Sequence, residues 1–413
     1  MDVTVVDHLF RKQYGKMVAI LTRFFGLSHI ETIEDAVQDT FIKATLQWRN
    51  SMPENPEAWL TKAAKNRTID LLRQINAEKN RFDKVASGSS AIYLNDMFLD
   101  HEIEDSQLRM IFIACHPSLK PKEQIAFALK TISGFSTKEI ASALLVKEET
   151  IKKRLIRARK TIAENNIKFD FPHPNELPKR LARVMEVIYL TFNEGFHSNN
   201  KKQLIRKDLC GEAVRLCQLL LRKKPYRSGR LYALFALLCF HASRLESKIN
   251  DENEIIDLQH QDRTKWYLPL IAIGNNAMTK AMEYDEVSAY HYEAAIAAEH
   301  LKAPSFEKTN WGKILEWYTL LNNQHPSAAT RLNIAIVKMQ LGEFEAAHEI
   351  LEIMDVDELE QRAYLYFGCF AEYYSKTGDI EQAKAYLDKS IFKVTNEMEK
   401  QYLVNKRKKL KLT

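Results

Sequence analysis

The stretch STKEIASALLVKEETIKKRLIRARKTI, residues 136–162, decides how the rest of the chain is read. Its first half sets Ile140, Ala141 and Leu144 on one side of a short amphipathic helix. A turn is expected around Leu145 to Lys147. Glu148 and Glu149 then open a second helix, where the helix dipole favours acids. Ile151, Leu155, Ala158 and Ile162 recur at helical spacing and form one apolar face. Lys153, Arg157 and Lys160 point the opposite way, flanked by Lys152 and Arg154. Two helices joined by a tight turn in this order are helix-turn-helix geometry, in which one face packs and the other enters a major groove. Basic side chains there neutralise phosphates or read guanine edges. The competing reading, from charge alone, is a solvated basic face.

Upstream, IEDAVQDTFIKATLQW (33–48) puts Val37, Phe41, Ala44 and Trp48 on one helix face. Asp35, Gln38, Asp39 and Ile42 share the other, an acidic face with one exposed apolar residue that suits docking to a basic partner helix. An ordinary solvated acidic face gives the same pattern. After SMPENPEA (51–58), where Pro53 and Pro56 break the helix, comes AWLTKAAKNRTIDLLRQ (58–74). Here Leu60, Ala64 and Leu71 are expected to face a core, and Lys62, Asn66, Ile69 and Arg73 form a stripe on the other side. The polar loop with Trp48, Arg49, Asn50 and Ser51 beside that basic stripe suits single-stranded DNA, whose bases stack on aromatic rings. Trp59 reads better as a core anchor.

The 413 residues allow two to four domains. Hydrophobic residues make up 46% and charged residues 28%, which excludes global disorder. Only 12 Gly and 11 Pro occur, too few for a hairpin-rich β fold, and no convincing alternating strand is visible, so the expected class is all-α. The net charge of +6 is too mild to identify a nucleic-acid partner by itself. The start, MDVTVVDHLFRKQYGKMV, carries charges where a signal peptide needs an apolar core, and the longest apolar run, Leu231 to Phe240, is half a membrane span. Cys115, Cys210, Cys217, Cys239 and Cys369 are scattered and odd in number, which argues against a disulfide framework. A cytoplasmic protein with no membrane association is expected. His116 beside Cys115 lacks a second Cys/His pair, so neither a metal nor a cofactor is expected, and no enzyme constellation is present.

The expected organisation is a first helical domain over 1–75, a linker over 76–105 containing SGSS and an acidic run, and the helix-turn-helix domain over 106–168. A proline-rich linker over 169–178 and a helical extension over 179–413 follow. In the extension, RLNIAIVKMQLGEFEAAHEIL (331–351) resembles FGCFAEYYSKTGDIEQAKAYL (367–387), with Gly342, Ala347 and Leu351 matching Gly378, Ala383 and Leu387. This is a tetratricopeptide-like pattern, in which a small residue lets two antiparallel helices approach. Residues 209–222 with 230–246, and 268–283 with 288–301, read as further hairpins.

DAVQDTF, then NPEAWLTKAAKNRTIDLLR, then RLIRARKTI resemble the two domains of an extracytoplasmic-function sigma factor, with 8–75 similar to domain 2 and 106–165 to domain 4. The remainder resembles the subgroup with a C-terminal tetratricopeptide-repeat extension, through LRMIFIACHPSL (108–119), VIYLTFNEGFHS (187–198), DLCGEAVRLCQLLL (208–221), QDRTKWY (261–267) and YHYEAAIAAEH (290–300). The resemblance implies that Asp35, Gln38, Asp39, Phe41 and Ile42 bind core RNA polymerase, through the β′ clamp helices and the β subunit. It implies that Trp48, Arg49, Asn50, Lys62, Asn66, Arg67 and Arg73 melt and read the minus-ten element. Thr150, Lys152, Lys153, Arg154 and Arg157 match the helix that reads the minus-thirty-five element. Lys147-Glu148-Glu149 replaces the proline- or glycine-containing turn common in that family, which leaves the start of the reading helix open. Asn193, Glu194 and Gly195 are regulatory candidates, through which the extension would touch the sigma domains; the alternative is a helix ending at a C′ glycine. Promoter DNA, and a protein or peptide in the groove of the repeats, complete the implied partners. The rival reading is a helix-turn-helix regulator with a repeat domain as sensor or scaffold, and a third is a scaffold with a fortuitous basic helix.

Overall fold

The computed structural model describes residues 3–48, 51–77, 100–144, 146–197, 205–250, 252 and 254–410. Among them are eighteen α-helices and no strand beyond one isolated bridge between Ile249 and Ile255, so the chain is all-α. The chain divides into two compact units, 1–191 and 192–413.

The first unit holds α1 (Val3–Phe25), α2 (Ile30–Gln47), α3 (Pro56–Ala77), α4 (Asp100–Ala114), α5 (Pro121–Thr131), α6 (Thr137–Ala143) and α7 (Glu148–Glu164). It also holds most of α8 (Leu177–Phe196). Helix α1 is central: it packs on α2, α3 and α4, with Tyr14, Val18 and Leu21 fully buried. Arg23 near its end pairs with Glu102 of α4. Most of the expected 76–105 linker lies outside the described residues, but its acidic end is helical. Glu102 sits in the first turn of α4, where a carboxylate meets the positive end of the helix dipole.

Two glycines let α1 meet the end of α5. A Cβ at Gly15 would lie 1.9 Å from the Ile132 carbonyl oxygen. Gly134, at φ 71°, would carry its Cβ into the Tyr14 ring at 2.8 Å. His116, the residue weighed as a metal ligand, closes the turn between α4 and α5. Its Nδ1 accepts from the Ser118 amide at 3.2 Å, and its carbonyl accepts from the Gln124 side chain at 2.8 Å.

The expected proline-rich linker at 169–178 lies upstream of the division between the units. The division falls after Thr191, inside α8. Three prolines stop a helix there, yet α8 begins in the first unit: Arg180 is buried and its guanidinium donates to the Phe112 carbonyl at 2.5 Å.

The second unit runs through α9 (Lys207–Arg222), α10 (Gly229–Ala242), α11 (Leu268–Ala281), α12 (Ala289–Lys302) and α13 (Trp311–Gln324). It continues with α14 (Ala328–Gln340), α15 (Phe344–Glu352), α16 (Ala363–Thr377), α17 (Ile380–Lys393) and α18 (Glu397–Lys409). Most helices pack chiefly on their neighbours in sequence, but α12 packs on α10 and α13 more than on α11. The repeat read at 331–351 and 367–387 appears as the hairpins α14–α15 and α16–α17, with Ala347, Leu351, Ala383 and Leu387 fully buried. The glycines have a different role from the one expected. Gly342 (φ 79°) and Gly378 (φ 90°) make the left-handed turns between helices, and a Cβ at either would meet nothing within 4 Å. Phe370 fills the joint between hairpins, stacked on Tyr386 at 4.8 Å. All five cysteines are free and buried. Among the described residues no helix is long and apolar enough to cross a membrane.

Candidate functional site

Helices α2 and α3 pack along Ala36, Phe41 and Ala44 on one side and Leu60, Ala64, Thr68 and Leu72 on the other. The buried ridge of α3 advances by fours to Leu72, and the expected Leu71 is only half-buried. On the outer side of this pair lies a groove of about 620 Å³ lined by Asp39, Lys43, Trp59, Lys62, Asn66 and Arg67, among others. It brings candidates from two expected roles together. Arg67 Nε and Nη2 both donate to Asp39 Oδ2, at 2.9 and 2.7 Å. With both side chains about two-fifths exposed, this pair contributes little stability but holds the two groups in one geometry.

Of the proposed polymerase-binding set, Asp35 and Ile42 are exposed, and Gln38 and Asp39 half-exposed. Ile42, at 61% exposure, is joined one turn later by Leu46 at 58%. Phe41 does not belong on that surface. It is 4% exposed and meets Phe10 edge-on at 4.9 Å, because it lies on the same stripe as Val37 and Ala44. Trp48 is likewise a core anchor rather than a stacking platform: it is 3% exposed and packs edge-on against Trp59 at 5.3 Å. Lys62, Asn66 and Arg73 are exposed as expected, while Arg49 and Asn50 lie outside the described residues.

The helix-turn-helix stretch folds as α6 and α7. Ser136 caps α6, its hydroxyl accepting from the Glu139 amide while the Glu139 carboxylate accepts from the Ser136 amide, a capping box. Helix α7 starts at Glu148, after Lys147 in extended conformation, which fixes the helix start that the sequence left open. A 2.9 Å bond from the Thr137 hydroxyl to Glu148 ties the two helices and, with Lys152, lowers that carboxyl below its usual range. Ile151, Leu155, Ala158 and Ile162 are buried, as their spacing requires. Lys153 and Arg157 project outward with no carboxylate within 4 Å among the described residues, and Arg154 and Thr150 are half-exposed. Lys152 is instead held by Glu149 at 3.1 Å and Glu148 at 3.5 Å on its own helix.

The sequence reading missed Arg159. Its guanidinium reaches α2, donating to Glu31 at 2.8 Å and to Glu34 at 2.5 Å. Glu34 is 1% exposed, and burial raises its carboxyl pKa against the pull of Arg159 and Lys130. Asp35 next to it is also raised, by partial burial and by Glu31. The only trace in the sequence is a charge at 159, beside the apolar positions 155, 158 and 162.

In the second unit Asn193 and Glu194 are half-buried and Gly195 is buried. Gly195 is not a C′ glycine. It lies inside α8, where a Cβ would come within 2.8 Å of the Arg206 carbonyl oxygen, Leu209 Cβ and Cys210 Sγ, so its absent side chain admits α9. A groove of about 360 Å³ between α9, α10 and α11 has an apolar floor with Leu221, Phe235 and Ala277 and a basic rim with Arg227 and Lys280.

Residues 9–78 match Sigma-70 region 2, and residues 109–162 match Sigma-70, region 4. Residues 180–282 match a family of unknown function (DUF6596). An uncharacterized protein of Rhizobium meliloti, R00370, is 32% identical over 408 residues, spanning 97% of this chain and 95% of that protein. The ECF RNA polymerase sigma factor SigE of Mycolicibacterium smegmatis is 27% identical over 158 residues, 38% of this chain and 60% of that protein. No solved structure matches.

Proposed function

We propose that this chain, which belongs to the family of the Rhizobium meliloti protein R00370 and carries sigma-70 regions 2 and 4, directs core RNA polymerase to specific promoters. The observation that carries the proposal is the pairing, in one unit, of a region-4 helix presenting Lys153 and Arg157 with a region-2 groove holding Lys62, Asn66 and Arg67. The first would grip and read the duplex at the upstream element, where each direct contact is worth about 1–3 kcal/mol. The groove would hold the strand separated at the downstream element, with the bases read once unpaired.

Asp35, Gln38, Asp39 and Ile42, with Leu46 beyond them, would dock on the β′ clamp helices. Carboxylates around an apolar centre suit a basic helical partner. The helical-repeat extension would tune this activity. Its tetratricopeptide character, and a protein or peptide in its groove, belong to this same reading.

The discriminating experiment is size-exclusion chromatography of the full chain with purified core polymerase in the absence of DNA. A sigma factor co-elutes at one-to-one stoichiometry. A regulator that needs only duplex DNA elutes separately, and that result would sink the proposal.

A further inference from the structure

The groove between α9, α10 and α11 lies outside the two repeat hairpins, and its charge is one-sided. Between residues 213 and 245 the sequence holds seven Lys or Arg and no Asp or Glu. Helix α11 adds Lys280 and carries no acid. The two acids of α9, Asp208 and Glu212, stand at its other end and are committed to Arg206 and Arg215. Helix α10 packs on both α9 and α11 and gives the groove its floor, through Tyr232 and Phe235. Along α11 the groove runs from Ile273 to Lys280, two helical turns and about 10 Å.

The two ends of the groove differ. At one, Ile273, 44% exposed, and Ala277 a turn later supply an apolar wall beside Phe235. At the other, α9 gives way to α10. There Arg227 Nε donates to the Leu221 carbonyl at 2.8 Å, which holds its guanidinium at the rim. The Lys280 ammonium lies 5.8 Å from the Tyr232 ring centre, near the start of α10 and so at the same end. Lys224, Arg227 and Lys280 are all exposed, and among the described residues no carboxylate lies within 4 Å of them. Of the acids in the loop after α11, Glu286 is taken by Arg230 at 3.1 Å, and Glu283 and Asp285 form no ion pair with this rim. The C-terminal ends of α9 and α11 return roughly half an elementary charge each, which leaves about two of the three positive charges unanswered. Water serves exposed cations well, but it does not favour the apolar wall beside them.

We propose that this groove docks a short acidic, amphipathic segment of a partner protein. An apolar side chain of that segment enters beside Ile273, Ala277 and Phe235, and carboxylates about a turn away meet Arg227 and Lys280. Apolar anchors at helical spacing and opposite charge on the rim are the terms of helix-in-groove recognition. A nucleic acid would use the cations and leave the apolar wall bare, and a small anion would leave most of the two turns empty. The docking does not rest on the promoter reading, and neither polymerase nor promoter DNA enters its test.

The test pans a random twelve-residue peptide display library on the full chain, with a parallel selection on Arg227→Glu/Lys280→Glu. The wild type should enrich sequences with Asp or Glu three or four residues from Leu, Ile, Phe or Trp, and the variant should not. The leading peptide, made synthetically and followed by fluorescence anisotropy, should bind the double variant and Ile273→Glu on the order of tenfold or more weakly. All three side chains are exposed, so an unchanged thermal midpoint separates lost binding from lost folding. If the double variant does not fold, Lys280→Gln alone should still weaken binding measurably. Enrichment of no sequence, or of neutral or basic ones, overturns the proposal, as does equal binding of the leading peptide by wild type and variants. A labelled random oligonucleotide that binds the wild type and not the double variant, with no peptide enriched, also overturns it.

Discussion

Removing Arg159 should loosen the first unit by an amount that the geometry bounds. Its contact with Glu31 is largely exposed on the acidic side and is worth less than about 1 kcal/mol. Its contact with Glu34 is different, because Glu34 is almost wholly buried and Arg159 is only 18% exposed. Deleting one partner of a buried pair typically costs about 3–5 kcal/mol. Two features reduce that figure. Lys130 remains near Glu34, and the Glu34 carboxyl, already raised by burial, can take up a proton instead of staying charged. We therefore expect Arg159→Ala to destabilise residues 1–191 by about 2–3 kcal/mol, which for a unit of this size lowers the thermal midpoint by roughly 5–10 °C.

The effect has a definite sign with pH. A raised folded-state carboxyl pKa gives stability that is present below the unfolded value and lost as pH rises through the folded one. At about pH 5, Glu34 is more protonated in both proteins and has less to lose, so the gap between wild type and variant should be smaller than at about pH 7.5. Calorimetry of wild type, Arg159→Ala, Glu34→Gln and the double variant at both pH values measures this. A single variant within about 0.5 kcal/mol of wild type, or strictly additive effects in the cycle, would refute the reasoning.

Four further outcomes follow from particular residues. Asp35→Lys with Ile42→Glu should weaken core-polymerase binding by several kcal/mol while helical content holds; Asp39 is avoided because it also bonds Arg67. Lys153→Ala and Arg157→Ala should each weaken occupancy of the upstream promoter element by about 1–3 kcal/mol if the side chain reads a base, or lower the salt slope if it grips phosphate. Gly195→Ala should cost about 1–3 kcal/mol or more by overpacking against α9, whereas Gly378→Ala, strained only in its backbone, should cost about 1 kcal/mol, a contrast read by denaturant unfolding. Because the Lys248 ammonium falls to about 7 when folded, the unfolded chain binds more protons between there and the ordinary 10.5, so its contribution makes stability rise with pH across that window. Lys248→Met should flatten that rise, as followed by denaturant unfolding across pH.

Local chemistry was readable wherever its partners were close in sequence. The apolar row 151, 155, 158 and 162, the α6 start at Ser136, and the hairpins at 331–351 and 367–387 all follow from spacing within a few turns. Adjacent Leu71 and Leu72 give two nearly equivalent registers, and only packing against α2 selects Leu72. Phe41 and Trp48 are buried, because their own periodicity puts them inside with Val37 and Ala44 and not on a functional surface. The division between the units lies past the prolines at 172–178, because prolines mark where a helix stops, not where packing stops, and Arg180 carries the packing past them. Gly195 looked like a helix end because close approach by α9 is a tertiary fact. The link from Arg159 to Glu34 spans 125 residues, and nothing local announces it.

As a sigma factor, this chain would turn core polymerase into a promoter-selective enzyme. Run-off transcription on genomic fragments, with core polymerase alone and with core plus the full chain, tests it most directly. Discrete transcripts are expected that appear only with the chain and fade with Lys153→Ala/Arg157→Ala. Transcripts identical with and without the chain, or unaltered by that double substitution, would contradict it.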